Sequence, residues 1–192
     1  MKKFFYTLSS LLFLNFGCKQ VSKTRPAGTV VKASARSIYE FKLKSLDGEE
    51  IDFAKYRGKK MLIINTASKC GYTPQYTDLE KLAEQYGDKV VLLGFPANNF
   101  LHQEPGNSKD ISEFCTKNYG VKFQMFEKIS VRGSDQCSLY QWLSHKELNG
   151  WNDQAPSWNF CKYLISENGE LLKFYPSAIK PLSKEIVDDI SK

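Results

Sequence analysis

Five cysteines, at positions 18, 70, 115, 137 and 161, carry most of the reactive chemistry in this 192-residue chain, which has two histidines, His102 and His145. No two cysteines form a C-x-x-C pair and the histidines do not stand at helical spacing, so no structural or catalytic zinc site is expected. What remains is thiol chemistry. Cys70 lies in Ser68-Lys69-Cys70-Gly71-Tyr72-Thr73-Pro74. The apolar run before it reads as a buried strand and Pro74 suits the first turn of a helix, so the sulfur falls near the free N–H groups and positive end of that helix. Lys69 adds a neighbouring positive charge, and both features favour an anionic, nucleophilic sulfur. A lone cysteine is commonly a small buried apolar residue; the strand-to-helix position argues for the nucleophile instead. Thr73 stands where a dithiol oxidoreductase would keep its second cysteine, so Cys70 cannot close a local bridge. Such a thiolate suits attack on an O–O bond better than dithiol exchange.

The elements that must position this sulfur are legible as periodicities. Tyr39, Phe41 and Leu43 alternate with polar neighbours, Asp47-Gly48 supplies a turn, and Ile51 and Phe53 alternate again, which predicts a β-hairpin. Residues 60–67 and 89–95 are continuous apolar runs of strand length, and between them Tyr76, Leu79, Leu82, Ala83 and Tyr86 recur at helical spacing. Together they predict a right-handed βαβ unit. A helix is expected over 108–118, starting at Ser108 and carrying Ile111, Phe114 and Cys115 on one face. A short helical piece follows at 139–143 and a loop at 148–157. Strands at 158–165 and 171–175 flank Asn168-Gly169, and a last helix spans 181–190. The length suits one domain. The expected class is α/β, a thioredoxin-like three-layer fold with a central mixed sheet and an N-terminal β-hairpin.

The net charge of +6 would suggest a nucleic-acid surface if it were spread over the fold. It is not spread: residues 1–39 hold seven Lys and Arg and no acidic residue, so the remainder is close to neutral. Met1-Lys2-Lys3, the apolar run Phe4 to Phe16 and then Gly17-Cys18-Lys19 describe a secretory signal. A cysteine after a small residue at the end of that run resembles a bacterial lipoprotein signal, with Cys18 the lipidated first residue. Asn15 and Phe16 depart from that pattern, and an ordinary signal cleaved elsewhere is the alternative. The expected organisation is a signal peptide over 1–17, a lipid-anchored tether over 18–36 and the folded domain over 37–192. This places the protein in a bacterial cell envelope, facing the periplasm and held to a membrane by its lipid. The tether reads as a solvated linker whose basic residues could rest on anionic headgroups.

Three segments then carry a specific resemblance. Asn65 to Tyr76 (NTASKCGYTPQY) resembles the active-site segment of glutathione peroxidases. Gly94-Phe95-Pro96-Ala97-Asn98-Asn99-Phe100 with Gln103-Glu104-Pro105-Gly106 resembles their second motif, and Trp158-Asn159-Phe160 their third. The likeness runs from about Tyr39 to the C-terminus. It implies that Cys70 takes the place of the nucleophile, which is selenocysteine in some members, and that Trp158, Asn159 and an amide from the second motif act with it. Where the family reads Cys-Asn-Gln-Phe this chain has Ala97-Asn98-Asn99-Phe100, which assigns that amide to Asn99, one methylene shorter.

The resemblance implies a resolving role for Cys115, in Glu113-Phe114-Cys115-Thr116; on pattern alone it reads as a packed thiol beside Phe114. Cys137 and Cys161 match no family role. The implied reaction is reduction of hydrogen peroxide or an organic or lipid hydroperoxide through a Cys70 sulfenic acid. Cys115 then condenses with it, and a thioredoxin-like protein or glutathione serves as the reductant, without cofactor or metal. The stretch from Leu143 to Trp158 lacks the insertion that resembles the assembly loop of tetrameric members, which implies a monomer. Two rival readings share the fold: a thiol-disulfide reductase, disfavoured by Thr73, and a non-catalytic lipoprotein that binds a partner.

Overall fold

The computed structural model describes residues 21–30 and 37–192. The signal peptide and Cys18 lie outside the described residues. In chain order the elements are β1 (Lys23–Thr24), β2 (Lys42–Lys44), β3 (Glu50–Asp52), β4 (Lys60–Thr66), α1 (Gln75–Tyr86), β5 (Val90–Pro96), α2 (Ser108–Tyr119), β6 (Gln124–Met125), α3 (Ser138–Ser144), α4 (Lys146–Asn149), β7 (Lys162–Ile165), β8 (Leu171–Tyr175) and α5 (Lys184–Ser191).

Every residue of β4 is buried. It pairs in parallel with β5, from Lys60 opposite Val90 to Thr66 opposite Pro96, with α1 as the crossover. On its other side β4 pairs antiparallel with β7, and the sheet order is β1-β8-β7-β4-β5-β6. Side chains alternate across this central strand. Met61 and Ile63 join a core with Leu93, Phe95, Tyr163, the N-terminal hairpin region and α3. Leu62 and Ile64 join a second core with Leu92, Leu164 and the inner faces of α1, α2 and α5. A strand buried on both faces must be apolar throughout, which is why β4 and β5 read as continuous apolar runs. The mixed sheet between two helical layers is the thioredoxin-like arrangement. Among the described residues no helix is long and apolar enough to cross a membrane.

Several features differ from the sequence reading. Lys23–Thr24, inside the stretch read as a solvated tether, pairs antiparallel with β8 and extends the sheet. The third-motif strand begins at Lys162 rather than Trp158, because Phe160 has φ 63 and breaks the extended run. Helix α2 is capped by Asn107, whose side chain accepts from the Asp110 N–H while the Asp110 carboxylate accepts from the Asn107 N–H, a reciprocal box one residue before the expected start. Helix α4 occupies the approach to the loop expected at 148–157.

The β7–β8 turn is tightly constrained. Gly169 has φ +80, and a Cβ there would lie 2.6 Å from Tyr39 Cε2 and 2.9 Å from Ile38 Cγ2. Gly169→Ala therefore combines left-handed strain with overpacking and should cost about 2–3 kcal/mol. The check is urea unfolding, with a lowered midpoint and an unchanged slope.

Candidate active site

Cys70 sits in the turn between β4 and α1 and is buried, with 8% of its surface exposed. Its Sγ accepts from the Tyr72 backbone N–H at 3.4 Å. The amides of Gln75, Tyr76 and Thr77 instead close successive turns onto the carbonyls of Tyr72, Thr73 and Pro74. The helix start thus offers the sulfur one directed N–H. Thr73 has its own work: its hydroxyl accepts from the Cys70 N–H at 3.0 Å and donates to the Ala67 carbonyl at 2.8 Å. The residue in the second-cysteine position is the brace of the nucleophile's turn.

Asn65, buried on β4, holds the third motif in place. Its side chain donates to the Trp158 carbonyl at 3.0 Å and accepts from the Cys161 N–H at 3.1 Å. Its carbonyl accepts from Phe160 N–H at 2.6 Å and its N–H donates to the Cys161 carbonyl at 3.3 Å. This clamp sets Trp158 and Asn159 close to the end of β4, from which the Cys70 turn departs. The Trp158 ring packs against Phe100 at 5.6 Å between centroids. Asn159 is buried and donates through Nδ2 to Gln103 Oε1 at 2.9 Å, while its Oδ1 has no partner among the described residues.

Gln103, half-buried, ties these segments together, because its backbone carbonyl also accepts from the Lys69 N–H at 3.0 Å. Two consecutive left-handed residues, Leu101 (φ 49) and His102 (φ 52), turn the chain to bring it there. Asn99, the amide assigned from the sequence, is committed elsewhere. Its Nδ2 donates to Ser130 Oγ and to the Arg132 carbonyl, both at 2.9 Å, and its Oδ1 accepts from the Val131 N–H at 2.9 Å. Both amide hydrogens are spent on fixing the 130–132 loop, so the second-motif amide beside Asn159 belongs to Gln103, four residues on. The signal was present in Gln103-Glu104-Pro105-Gly106, whose glutamine has the full side-chain length.

Two further buried charges support the site and were not singled out from the sequence. The Glu104 carboxylate accepts from the Ser68 hydroxyl at 3.0 Å, and Lys128 Nζ donates to the carbonyls of Glu104 and Gly106 at 3.1 and 2.7 Å. Burial pushes the Glu104 carboxyl up, opposed by the Ser68 hydrogen bonds and by the charges of Lys128 and Lys69. Lys162 donates to Gln75 Oε1 at 2.6 Å and to the Ile179 carbonyl, tying the first residue of α1 to the segment before α5. Burial pulls its amine down to about 7.

Cys115 faces inward from α2. Burial pushes its thiol up to about 11, with the Tyr76 hydroxyl opposing and the Glu104 charge adding to the rise. Cys70, Cys115, Cys137 and Cys161 are all free thiols. Cys161 is buried with its sulfur 3.4 Å from Ser177 Oγ, and Cys137 is half-buried at the start of α3. Among the described residues no three His, Cys, Asp or Glu side chains converge as a metal site.

The family model for glutathione peroxidase matches residues 38–144. The glutathione peroxidase homolog BsaA of Halalkalibacterium halodurans is 43% identical over 157 residues, covering 81% of this chain and 98% of its own length. The glutathione peroxidase-like peroxiredoxin 2 of Saccharomyces cerevisiae is 43% identical over 159 residues, covering 81% and 98%. The crystal structure of Trgpx in its apo form superposes with a TM-score of 0.61 at 34% identity, covering 83% of this chain and 98% of that one. With a cysteine at the strand-to-helix turn and these matches over most of its length, the chain belongs to the glutathione peroxidase family. It is a peroxidase, an oxidoreductase built on a thioredoxin-like fold.

The two second-motif amides make different predictions. Gln103→Ala removes the partner of the buried Asn159 amide and should lower the rate of peroxide reduction at least about tenfold. Asn99→Ala strips three hydrogen bonds from the 130–132 loop and should cost about 2–3 kcal/mol of stability with a much smaller loss of rate. Steady-state kinetics and urea unfolding on both variants separate the roles.

Proposed function

We propose that Cys70 reduces hydrogen peroxide or an organic hydroperoxide and is recycled through a disulfide with Cys115. A thioredoxin-like dithiol protein or glutathione opens that disulfide. The observation that supports this reading is the Lys69 N–H bond to the Gln103 carbonyl, which ties the Asn159–Gln103 amide pair to the residue beside Cys70, in a turn braced by Thr73. The Cys70 thiolate attacks one peroxide oxygen, forming an S–O bond and breaking the O–O bond. The departing oxygen leaves as an alkoxide or hydroxide, is stabilised by the N–H donors of Trp158 and of the amide pair, and takes up a proton. Cys70 becomes a sulfenic acid. Attack by Cys115 forms the S–S bond, breaks the S–O bond and releases water. The reductant's two thiols then return both cysteines to thiols and become a disulfide.

Cys115 cannot act from where it rests. Its thiol is buried on α2 and held well above the ordinary range, so at neutral pH it is protonated and shielded. Local opening of α2 would expose it and return it to the ordinary thiol range of about 8.5. The proposed enzyme works as a monomer, lipid-anchored at Cys18 on the periplasmic side of a bacterial envelope. Thr73, fully used in bracing the turn, weighs against the thiol-disulfide reductase alternative.

Treated with one equivalent of hydrogen peroxide, the wild type should yield a peptide map joining Cys70 to Cys115, with Cys137 and Cys161 free. Cys115→Ser should complete one turnover and stall with thioredoxin as reductant. A bridge to Cys137 or Cys161, or unchanged turnover of the variant, would refute the resolving role. The rate of disulfide formation against pH should level off near about 8.5 if Cys115 reacts exposed. It should keep rising toward 11 if Cys115 reacts in place.

A further inference from the structure

The strand that follows the third motif carries a buried charge that the proposed cycle does not use. Lys162 comes three positions after Asn159 and opens β7, where its backbone pairs with Ile64 on one side and Tyr175 on the other. Its side chain falls on the same face of the strand as Leu164, which joins the core beneath α1, α2 and α5. The residue is fully buried, so an amine stands inside an apolar layer. Lysine is almost never buried in this way unless its charge is met. Here it is met three times: Nζ donates to Gln75 Oε1 at 2.6 Å, to the Ser177 carbonyl at 3.4 Å and to the Ile179 carbonyl. One oxygen for each N–H of an ammonium suits the charged form, against the burial that pulls the amine down.

Gln75 is the first residue of α1 and is itself buried. Its Nε2 donates to the Ser177 carbonyl at 2.7 Å, and its backbone N–H donates to the Tyr72 carbonyl at 2.9 Å. Tyr72 is the residue whose N–H points at the Cys70 sulfur. The Lys162–Gln75 bond thus joins the helix start that follows Cys70 to the segment that carries Trp158 and Asn159. The hydrogen bonds of Asn65 to that segment, and of Lys69 to Gln103, do not reach α1. Stability alone does not account for such a group, because an apolar side chain of similar volume often replaces a buried charge without loss. What an apolar side chain at 162 lacks is a directed contact to Gln75.

We propose that Lys162 is a positioning residue for peroxide reduction, whose bond to Gln75 keeps the Cys70 turn in register with Trp158 and Asn159. The role rests on the reading of Cys70 as the thiol that meets the peroxide, and adds to it a residue outside the site.

The test mixes the full, reduced chain with one equivalent of hydrogen peroxide in a single turnover, so that no reductant limits the rate. The same proteins are alkylated with iodoacetamide, and label on the Cys70 peptide is followed by mass spectrometry. Alkylation needs the sulfur but not Trp158 or Asn159. Lys162→Met keeps most of the stem and removes the charge. Its rate of peroxide consumption should fall about tenfold while alkylation of Cys70 stays within about twofold of the wild type. Adding Gln75→Leu to it should cost no more than Lys162→Met alone, because both changes break one bond. This double variant leaves neither partner stranded, and it carries the same comparison with the wild type where the single variant fails to fold. An unchanged peroxide rate in the folded variant would overturn the proposal. So would peroxide and alkylation rates that fall together, or a further loss of about tenfold in the double variant. Absence of peroxide consumption by the wild type would overturn the Cys70 reading and this inference with it.

Discussion

The arrangement around Cys70 depends on one buried amide. Asn65 lies on the most protected strand of the sheet, and its side chain and backbone make four hydrogen bonds to the segment 158–161. At about 1 kcal/mol net for each bond, the clamp outweighs the roughly 1–2 kcal/mol cost of holding Phe160 in the left-handed region. That conformation reverses the chain, so that Trp158 and Asn159 come to the site while Cys161 and Lys162 continue into β7. The Phe160 ring also seals the base of the site against Tyr76, at 5.3 Å and nearly perpendicular.

The two cysteines of the proposed cycle occupy opposite regimes. Cys70 is fixed in a braced turn, its N–H on the Thr73 hydroxyl and its sulfur accepting from the Tyr72 N–H. Cys115 is stored in the helical layer, beside Tyr76 and Glu104. Opening α2 breaks its packing, and the bonds formed later must offset that cost. In the proposed cycle the fold separates the step that needs a rigid, preorganised site from the step that needs motion. The charges follow the same division: Lys162 and Glu104 secure the elements on either side of Cys70.

Much of this was legible in the sequence where a side chain's environment is set locally. The runs 60–67 and 89–95 are apolar because both faces of β4 and β5 are covered, and Cys70 is placed by the strand and helix on either side of it. Trp158 and Asn159 were singled out by their order after that motif. Asn99 was assigned from its place in the motif, which locates a residue but not the direction of its amide, and the 130–132 loop takes both of its N–H donors. Gln103 reaches the site only because of two left-handed residues before it, which no periodicity reports. Strands β1 and β6 have two residues each, too short for an alternation, and exist because a neighbouring edge offers unpaired backbone groups. Asn65 looked like an ordinary polar residue at a strand end; its role lies in partners nearly a hundred residues away.

In the proposed reaction Cys70, and no other thiol in the chain, meets the peroxide. The most direct measurement is mass spectrometry of the protein exposed to less than one equivalent of hydrogen peroxide in the presence of a dimedone-type trap for sulfenic acids. The trap is expected on Cys70, with Cys115, Cys137 and Cys161 unlabelled. Label appearing first on any of those three, or no label on Cys70 while peroxide is consumed, would contradict it.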